Sequence, residues 1–533
     1  MAILSADGAF TPEQAAAAAA PGRPVVMIQN GIHAGEIDGK DASLMLLRDA
    51  ALGRRPGLLG PAVLLVVPIY NVDGHERVSP YNRPNQNGPV EGMGYRTTAA
   101  GLDLNRDHLK LVSGEARALV GLVNRWRPHL HVDDHVTDGV DHDWVLTWAW
   151  AEALQAPPTV DAWLAAHLPP ALAATAAAGH RNGPYVDLVD RADPAKGFTS
   201  WVGEPRYATG YYPLRNRPSV LVETHSYKPY RARVLANRDF LAALVAEVNR
   251  DPASLVGAVA AAEVRTVALG RPEAPPSDVA LTYVDALAPD RVRFPVYNWS
   301  LVPSEVTGRA IVTYRPGEVR EIEVDWIHRG RVDKAVPRPC GYLVQPGWPA
   351  IEDRLIGHGL RVRRLGRPLE LEAEAIRVAD PKYAAAPYQG LTAVTATVER
   401  AAERVTYPAG SLWVAADQPD FEVAVQLLEP EAPDSLFAWG LLSTVLERKE
   451  YIDVRGLEKL AQELLADPAH PEIAAEWRRA LADETFAADA QARWLWWYRR
   501  TPYWDERIGL LPYARVMAAG LPGIVPALAE EPP

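Results

Sequence analysis

Pro24-Val-Val-Met-Ile-Gln-Asn30 runs directly into Gly31-Ile-His33-Ala-Gly-Glu36 and then into the stretch Ile37 to Ala51. An apolar run without alternation predicts a strand buried on both faces, and the segment after it has helical character. A buried strand that turns through glycines into a helix is the repeating unit of an α/β sheet. The same rhythm recurs on the C-terminal side. Ala62-Val-Leu-Leu-Val-Val-Pro68, His129-Leu-His-Val-Asp133, Trp144-Val-Leu-Thr-Trp148 and Ser219-Val-Leu-Val-Glu223 read as further strands. Helices are expected over 115–126, 160–178 and 231–249. The predicted fold of residues 1–250 is therefore α/β, a mixed and mainly parallel sheet flanked by helices.

The pattern changes after Asp251. A helical linker near 255–262 and the stretch Pro272-Glu-Ala-Pro-Pro276 lead into period-two alternation, as in Val319-Arg-Glu-Ile-Glu-Val-Asp325. Residues 251–420 are expected to form a β-rich accessory domain, with a small strand–helix–strand insertion over 342–365. Residues 421–533 read as a helical C-terminal region rich in tryptophan, including Trp494, Trp496 and Trp497. A chain of 533 residues exceeds what one core supports, so two or three domains are expected.

Bulk properties exclude several function classes. The formal net charge is -12 and no long basic run occurs, which argues against nucleic-acid binding. With Cys340 as the sole cysteine, neither an intrachain disulfide nor a thiolate metal cluster can form. No stretch reads as long and apolar enough to span a bilayer. Thr11-Pro12-Glu13-Gln14 followed by an alanine run predicts a helix start and not a signal peptide.

Four segments carry chemistry. In Gly31 to Glu36, a His and a Glu three apart can face one metal ion, with Gly31 and Gly35 letting the backbone bend closely. Taken alone, His33 could equally be a loop histidine and Glu36 a helix cap. Asp133-Asp134-His135 ends an apolar strand, where α/β sites lie. His135 would complete a two-His, one-Glu zinc site with an open position, and an adjacent Asp could orient its imidazole. His129 and His131 read as structural. Val220-Leu-Val-Glu223-Thr-His225 puts a carboxylate at the mouth of a buried strand, which is costly without a task. General base is the task that fits Glu223, while His225 is not needed as a further ligand. Finally, Asn105-Arg106 suits a free carboxylate, and Arg96 could stabilise an oxyanion unless it is only a loop salt bridge.

In this order the segments resemble the zinc carboxypeptidase A-like family, in a bacterial subgroup with a long C-terminal extension. Tyr70-Asn-Val-Asp-Gly74 is similar to the family's Asn-Pro-Asp-Gly segment, with Val72 in place of Pro. The resemblance implies one zinc per chain on His33, Glu36 and His135. It also implies Glu223 as base, Asn105 and Arg106 as the anchor for a substrate C-terminus, and Arg96, in preference to Arg83, at the oxyanion. The family's Tyr that closes over substrate maps to Tyr211 or Tyr212, with Tyr211 preferred. The family usually has a strand or two before the first zinc motif, and little chain precedes it here. The resemblance therefore implies an N-terminus that is incomplete, and relatives that are exported.

The expected function is a metallocarboxypeptidase that removes C-terminal residues of peptides. Two alternatives stand beside it. One is a zinc amidohydrolase or deacylase acting on N-acyl amino acids or cell-wall peptides, whose substrates also carry a free carboxylate. The other is an inactive, peptidase-like binding protein.

Overall fold

The computed structural model describes residues 2–5, 8–9, 22–55, 57–151, 156–200, 203–285, 288–328 and 330–529. The helix expected from Thr11 to Ala20 lies outside the described residues. Two short strands, β1 (Ala2–Ser5) and β2 (Gly8–Ala9), precede β3 (Val25–Asn30) and β4 (Val63–Val67). Then come β5 (Leu130–Thr137), β6 (Leu146–Ala149) and β7 (Asn182–Pro184). The short strands β8 (Asp187–Leu188) and β9 (Phe198–Thr199) join a different sheet, and β10 (Ser219–His225) returns to the first. That sheet has the order β2-β1-β4-β3-β5-β10-β6-β7. Its centre is parallel: β4 with β3, β3 with β5, and β5 with β10. β1 and β6 run antiparallel to their central neighbours.

Alternation divides each central strand between two cores. Val26, Ile28, Leu64, Val66, Leu130, Val132, Val220 and Val222 pack with the helices Asp38–Ala51, Pro158–Ala177 and Tyr230–Arg250. Val25, Met27, Val63 and Leu65 point the other way, into a core shared with helix Gly114–Trp126. On β5 that second face carries His131, Asp133 and His135, and on β10 it carries Leu221 and Glu223. In the β5–β10 register His135 lies directly beside Glu223. The side chains of His135 and Glu223 thus share one face at the carboxyl ends of adjacent parallel strands.

The remaining strands are β11 (Asp278–Asp285), β12 (Asp290–Pro303), β13 (Ala310–Ile327), β14 (Gly330–Pro337), β15 (Gly341–Val344), β16 (Val362–Arg364), β17 (Leu369–Tyr383), β18 (Val394–Tyr407), β19 (Leu412–Ala415) and β20 (Leu510–Val516). The long β12–β13 hairpin pairs through β13 with β9, so it extends a sheet begun in the α/β part. β15, helix Pro349–Gly357 and β16 form the strand–helix–strand unit expected near 342–365. The last 100 or so residues are mostly helical, with Trp477, Trp494, Trp496, Trp497 and Trp504 packed around Leu457. β20 departs from that pattern: it inserts between β15 and β17, antiparallel to both.

Helix Pro252–Leu269 corrects one expectation. It is long and apolar enough to cross a membrane by length and composition. Here it packs beside helix Pro158–Ala177, with Glu263 paired to Arg217 at 2.5 Å and Thr266 donating to Asn216 at 2.8 Å. These polar ties make it part of the folded domain.

The α/β part and the 341–416 sheet meet at a buried polar cluster. Leu109 O can only accept, so His358 donates to it through Nε2 at 2.8 Å, and Nδ1 accepts from the Tyr211 hydroxyl at 2.8 Å. Arg215 donates to the same hydroxyl and pairs with Asp420. Burial pushes the His358 pKa down to about 3. The unfolded chain titrates near 6.5, so between these values it holds a proton that the folded chain lacks. The contribution of His358 to stability is full above pH 6.5 and is lost as pH falls toward 3. From pH 7 to pH 5 that loss is about 2 kcal/mol. Denaturant unfolding at both pH values should show a smaller acid penalty in His358→Gln than in the wild type. An equal penalty in both would contradict this reading.

Candidate functional site

Asn30 ends β3, and the chain turns through Gly31 at φ +64°, a left-handed conformation that glycine adopts without a Cβ clash. Gly35 is required for a different reason. A Cβ there would lie 2.6 Å from Gly94 O and 2.7 Å from Arg83 Cγ. The turn closes with Glu36 N–H donating to His33 O at 2.9 Å, so both side chains face the end of β5.

One donor atom each from His33, Glu36 and His135 lie within 4.8 Å of one another. All three residues are buried. The Nδ1 atoms of both histidines point at the Glu36 carboxylate, His33 at 3.0 Å from Oε1 and His135 at 2.9 Å from Oε2. The opposite ring nitrogens face carboxylates as well. His33 Nε2 is 3.1 Å from Asp103 Oδ1, and His135 Nε2 is 3.1 Å from Asp133 Oδ2, the latter in an ion-pair rather than a linear hydrogen-bond geometry. Each imidazole is thus oriented by one carboxylate while its other nitrogen converges with Glu36.

The electrostatics favour a cation. Burial alone would depress the pKa of His135, but Asp133 and Glu36 overcome it and hold it well above the ordinary value. Burial would likewise raise Asp103, yet His33, Arg96 and Arg106 hold it well below the usual carboxylate range. Asp133 sits at about 2 against its own burial, chiefly through His135. Glu223 goes the other way: burial first, then the neighbouring Glu36 carboxylate, push it well up against the pull of His135. Its Oε2 is buried, and no donor among the described residues reaches it. Burying an ion costs several kcal/mol unless it is compensated. Glu36, Asp103, Asp133 and Glu223 crowd two imidazoles, and Arg83 reaches Glu36 at 2.9 Å. Two neutral imidazoles with a carboxylate are a zinc donor set, and a divalent cation would neutralise this cradle. Asp133→Asn should lower metal affinity about 10- to 100-fold, read by titration with a chelating indicator. Unchanged affinity would remove Asp133 from the orienting role.

The cleft above these residues has a volume of about 680 Å³. His33, Glu36, His135 and Glu223 line it, and so do Arg96, Asn105 and Arg106. Arg96 donates through Nε to Asp103 at 3.0 Å. Asn105 and Arg106 lie on a single 3-10 turn, Leu104–Arg106, capped by Asp103, whose side chain accepts from Asn105 N–H. Asn105 Oδ1 is buried without a partner among the described residues. The Arg106 guanidinium lies 4.5 Å over the Tyr207 ring.

Tyr211 is not brought into the cleft. It is fully buried, and its hydroxyl is committed to His358 and Arg215. Tyr212 is also fully buried, stacked on His131 at 3.7 Å. Tyr185 and Tyr207 are the tyrosines that line the cleft. Tyr207 caps the helix Ala208–Leu214, one turn ahead of Tyr211, and the packing of that helix decides which ring faces out. His225 donates through Nε2 to Val140 O at 2.7 Å, outside the triad. His131 contacts Ser219 Oγ at 2.9 Å and also stays outside it. Asp103 was not singled out from sequence, and Arg83 was named there only as the less favoured candidate for the oxyanion, whereas here it pairs with Glu36. Asp103 had a legible signal, since an Asp just ahead of Asn105-Arg106 is a natural cap for the turn.

Residues 4–123 match a family model described as zinc carboxypeptidase. The match includes His33, Glu36, Asn105 and Arg106 and ends before His135. A carboxypeptidase 2 of Trichophyton rubrum is 23% identical over 439 residues, covering 78% of this chain and 74% of the relative. A carboxypeptidase 2 of Trichophyton tonsurans is 30% identical over 105 residues, 20% of each chain. Among solved structures, a metallo-carboxypeptidase of Pseudomonas aeruginosa aligns at 16% identity with a TM-score of 0.33, over 48% of this chain. This chain spans 64% of that structure.

Proposed function

The chain belongs to the zinc carboxypeptidase family, a family of peptide-bond hydrolases, and on that premise we propose that it removes C-terminal residues from peptides with one zinc ion per chain. The observation that carries the proposal is the convergence of His33, Glu36 and His135 within 4.8 Å beside a buried Glu223. His33 Nδ1, His135 Nδ1 and the Glu36 carboxylate would hold the ion. When bound, zinc lowers the pKa of water to about 7 and polarises a carbonyl.

The protein's own groups do the rest. Glu223 takes the proton of the attacking water at its unpartnered Oε2 and later delivers it to the leaving amine. A base pushed up by burial retains the proton long enough to hand it on. Arg96 lines the cleft with its guanidinium fixed on Asp103, where it can stabilise developing negative charge. Asn105 and Arg106 bind the terminal carboxylate of the substrate, Arg106 by a planar fork and Asn105 by its amide.

Peptides with a free C-terminus should be cleaved one residue at a time, and C-terminally amidated counterparts about 10²-fold or more less efficiently. Mass analysis of digests of matched peptide pairs measures this. Equal turnover of both would replace the carboxypeptidase reading with an endopeptidase or amidase one.

A further inference from the structure

The tip of the β17–β18 hairpin reaches the turn that carries Asn105 and Arg106. Past Tyr383 and Val394 the two strands continue to a tight turn, with Tyr388 and Leu391 exchanging backbone hydrogen bonds at 2.8 and 3.1 Å. The two residues between them, Gln389 and Gly390, have φ of +53° and +73°. Two successive left-handed residues make a hairpin turn for which Asn-Gly or Gly-Gly is the favoured sequence. Gln is a poor choice for backbone reasons alone, but it is long enough to reach across. Its Oε1 accepts from the Asp103 N–H at 2.8 Å. Tyr388 reaches the same place from the next position. Its hydroxyl accepts from Arg106 Nε at 3.0 Å, and its ring stacks on Trp439 at 6.0 Å with the planes 15° apart.

Arg106 is therefore held in two directions. The Tyr388 hydroxyl fixes it in the guanidinium plane, and the Tyr207 ring lies against its face. The Tyr207 side is also tied to the accessory region, because Asp434 accepts from the neighbouring Arg206 N–H at 2.8 Å and pairs with its Nε at 2.9 Å. A guanidinium binds a carboxylate bidentately only when its plane is set beforehand. An unrestrained Arg loses rotamer freedom on binding.

We propose that the β17–β18 hairpin is a working part of the carboxylate anchor, with Tyr388 positioning Arg106 and Gln389 positioning Asp103 at the head of its turn. The inference rests on the reading that Arg106 takes the substrate's C-terminal carboxylate. Tyr388 and Gln389 act through Arg106 and are positioning residues. The accessory region, some 280 residues downstream, then sets how tightly a free C-terminus is held.

The test is steady-state kinetics on a peptide with a free C-terminus and on its amide, in the full-length protein. Tyr388→Phe keeps the ring stack and deletes the acceptor. Gln389→Gly deletes the side chain and relaxes the left-handed turn, so it does not endanger folding. Each should raise KM for the free peptide roughly five- to tenfold; in Tyr388→Phe, which removes a contact to Arg106 alone, kcat should change by less than about twofold and the amide should be unaffected. Arg106→Ala should raise KM further, by roughly 100-fold. If Arg106→Ala raises KM but neither hairpin variant does, the hairpin does not act on the anchor and this proposal falls while the carboxylate reading stands. If Arg106→Ala leaves KM unchanged, the carboxylate reading fails and this proposal fails with it. A merely structural hairpin would lower kcat, or the amount of folded protein, for both peptides alike.

Discussion

Glu223→Gln should lower kcat by about 10²- to 10⁴-fold, with zinc content and KM close to those of the wild type. The exchange preserves the volume and one oxygen, but an amide cannot accept the proton of the attacking water. The size of the effect follows from where Glu223 sits. It lies beside His135 in the parallel register of β5 and β10, it is buried, and one of its oxygens has no donor among the described residues. The nearby carboxylates do not replace it. Asp133 and Asp103 are turned to the far nitrogens of the two imidazoles, and Glu36 takes both near nitrogens. Because burial pushes the Glu223 carboxyl up, its charge is a burden on the fold. The metal-free Gln variant should therefore be at least as stable as the metal-free wild type. Single-turnover assays with elemental analysis measure the first effect and denaturant unfolding the second. Cleavage at the wild-type rate would show that the base is another group.

The second large effect is expected on metal removal. Dialysis against a chelator should abolish cleavage, and added zinc should restore it. In His135→Ala neither the metal nor the activity should return. The stability change follows from linkage: an ion at a thousandfold excess over its Kd contributes about 4 kcal/mol to the folded state. Without it the Glu36, Asp133 and Asp103 carboxylates are left to the two imidazoles and to Arg83, Arg96 and Arg106. Thermal unfolding with and without chelator should show a lower midpoint for the metal-free wild type and almost no difference in His135→Ala. Full activity in protein shown by elemental analysis to be free of metal would end the metallopeptidase reading.

Local signals were enough for the central sheet and for half of the candidate metal site. An unbroken apolar run such as Pro24 to Ile28 is buried on both faces in any α/β context, so its reading needs no knowledge of its partners. The three-residue spacing of His33 and Glu36 is likewise a property of one short turn. β20 was not legible. Leu510 to Val516 is apolar, follows a helical stretch and pairs with strands more than a hundred residues away. The sequence offered Tyr211 or Tyr212, and that Tyr207 of the same segment lines the cleft instead was not legible either. All three lie within one short segment, and the helix Ala208–Leu214 turns Tyr211 and Tyr212 into the core because His358 and His131 wait there.

The sequence by itself determined the alternation of buried strands and helices, the candidate donors at His33, Glu36 and His135, and the carboxylate at the end of a buried strand at Glu223. These rest on periodicity and on the high cost of burying charge without purpose, both of which act within a few residues. The tertiary structure alone decided the register that sets His135 beside Glu223, the carboxylates behind each imidazole, and the reach of Tyr388 and Gln389 to Arg106 and Asp103. Contacts across about 280 residues form only when separate elements dock, and the packing of whole surfaces, not any local pattern, selects which side chains meet.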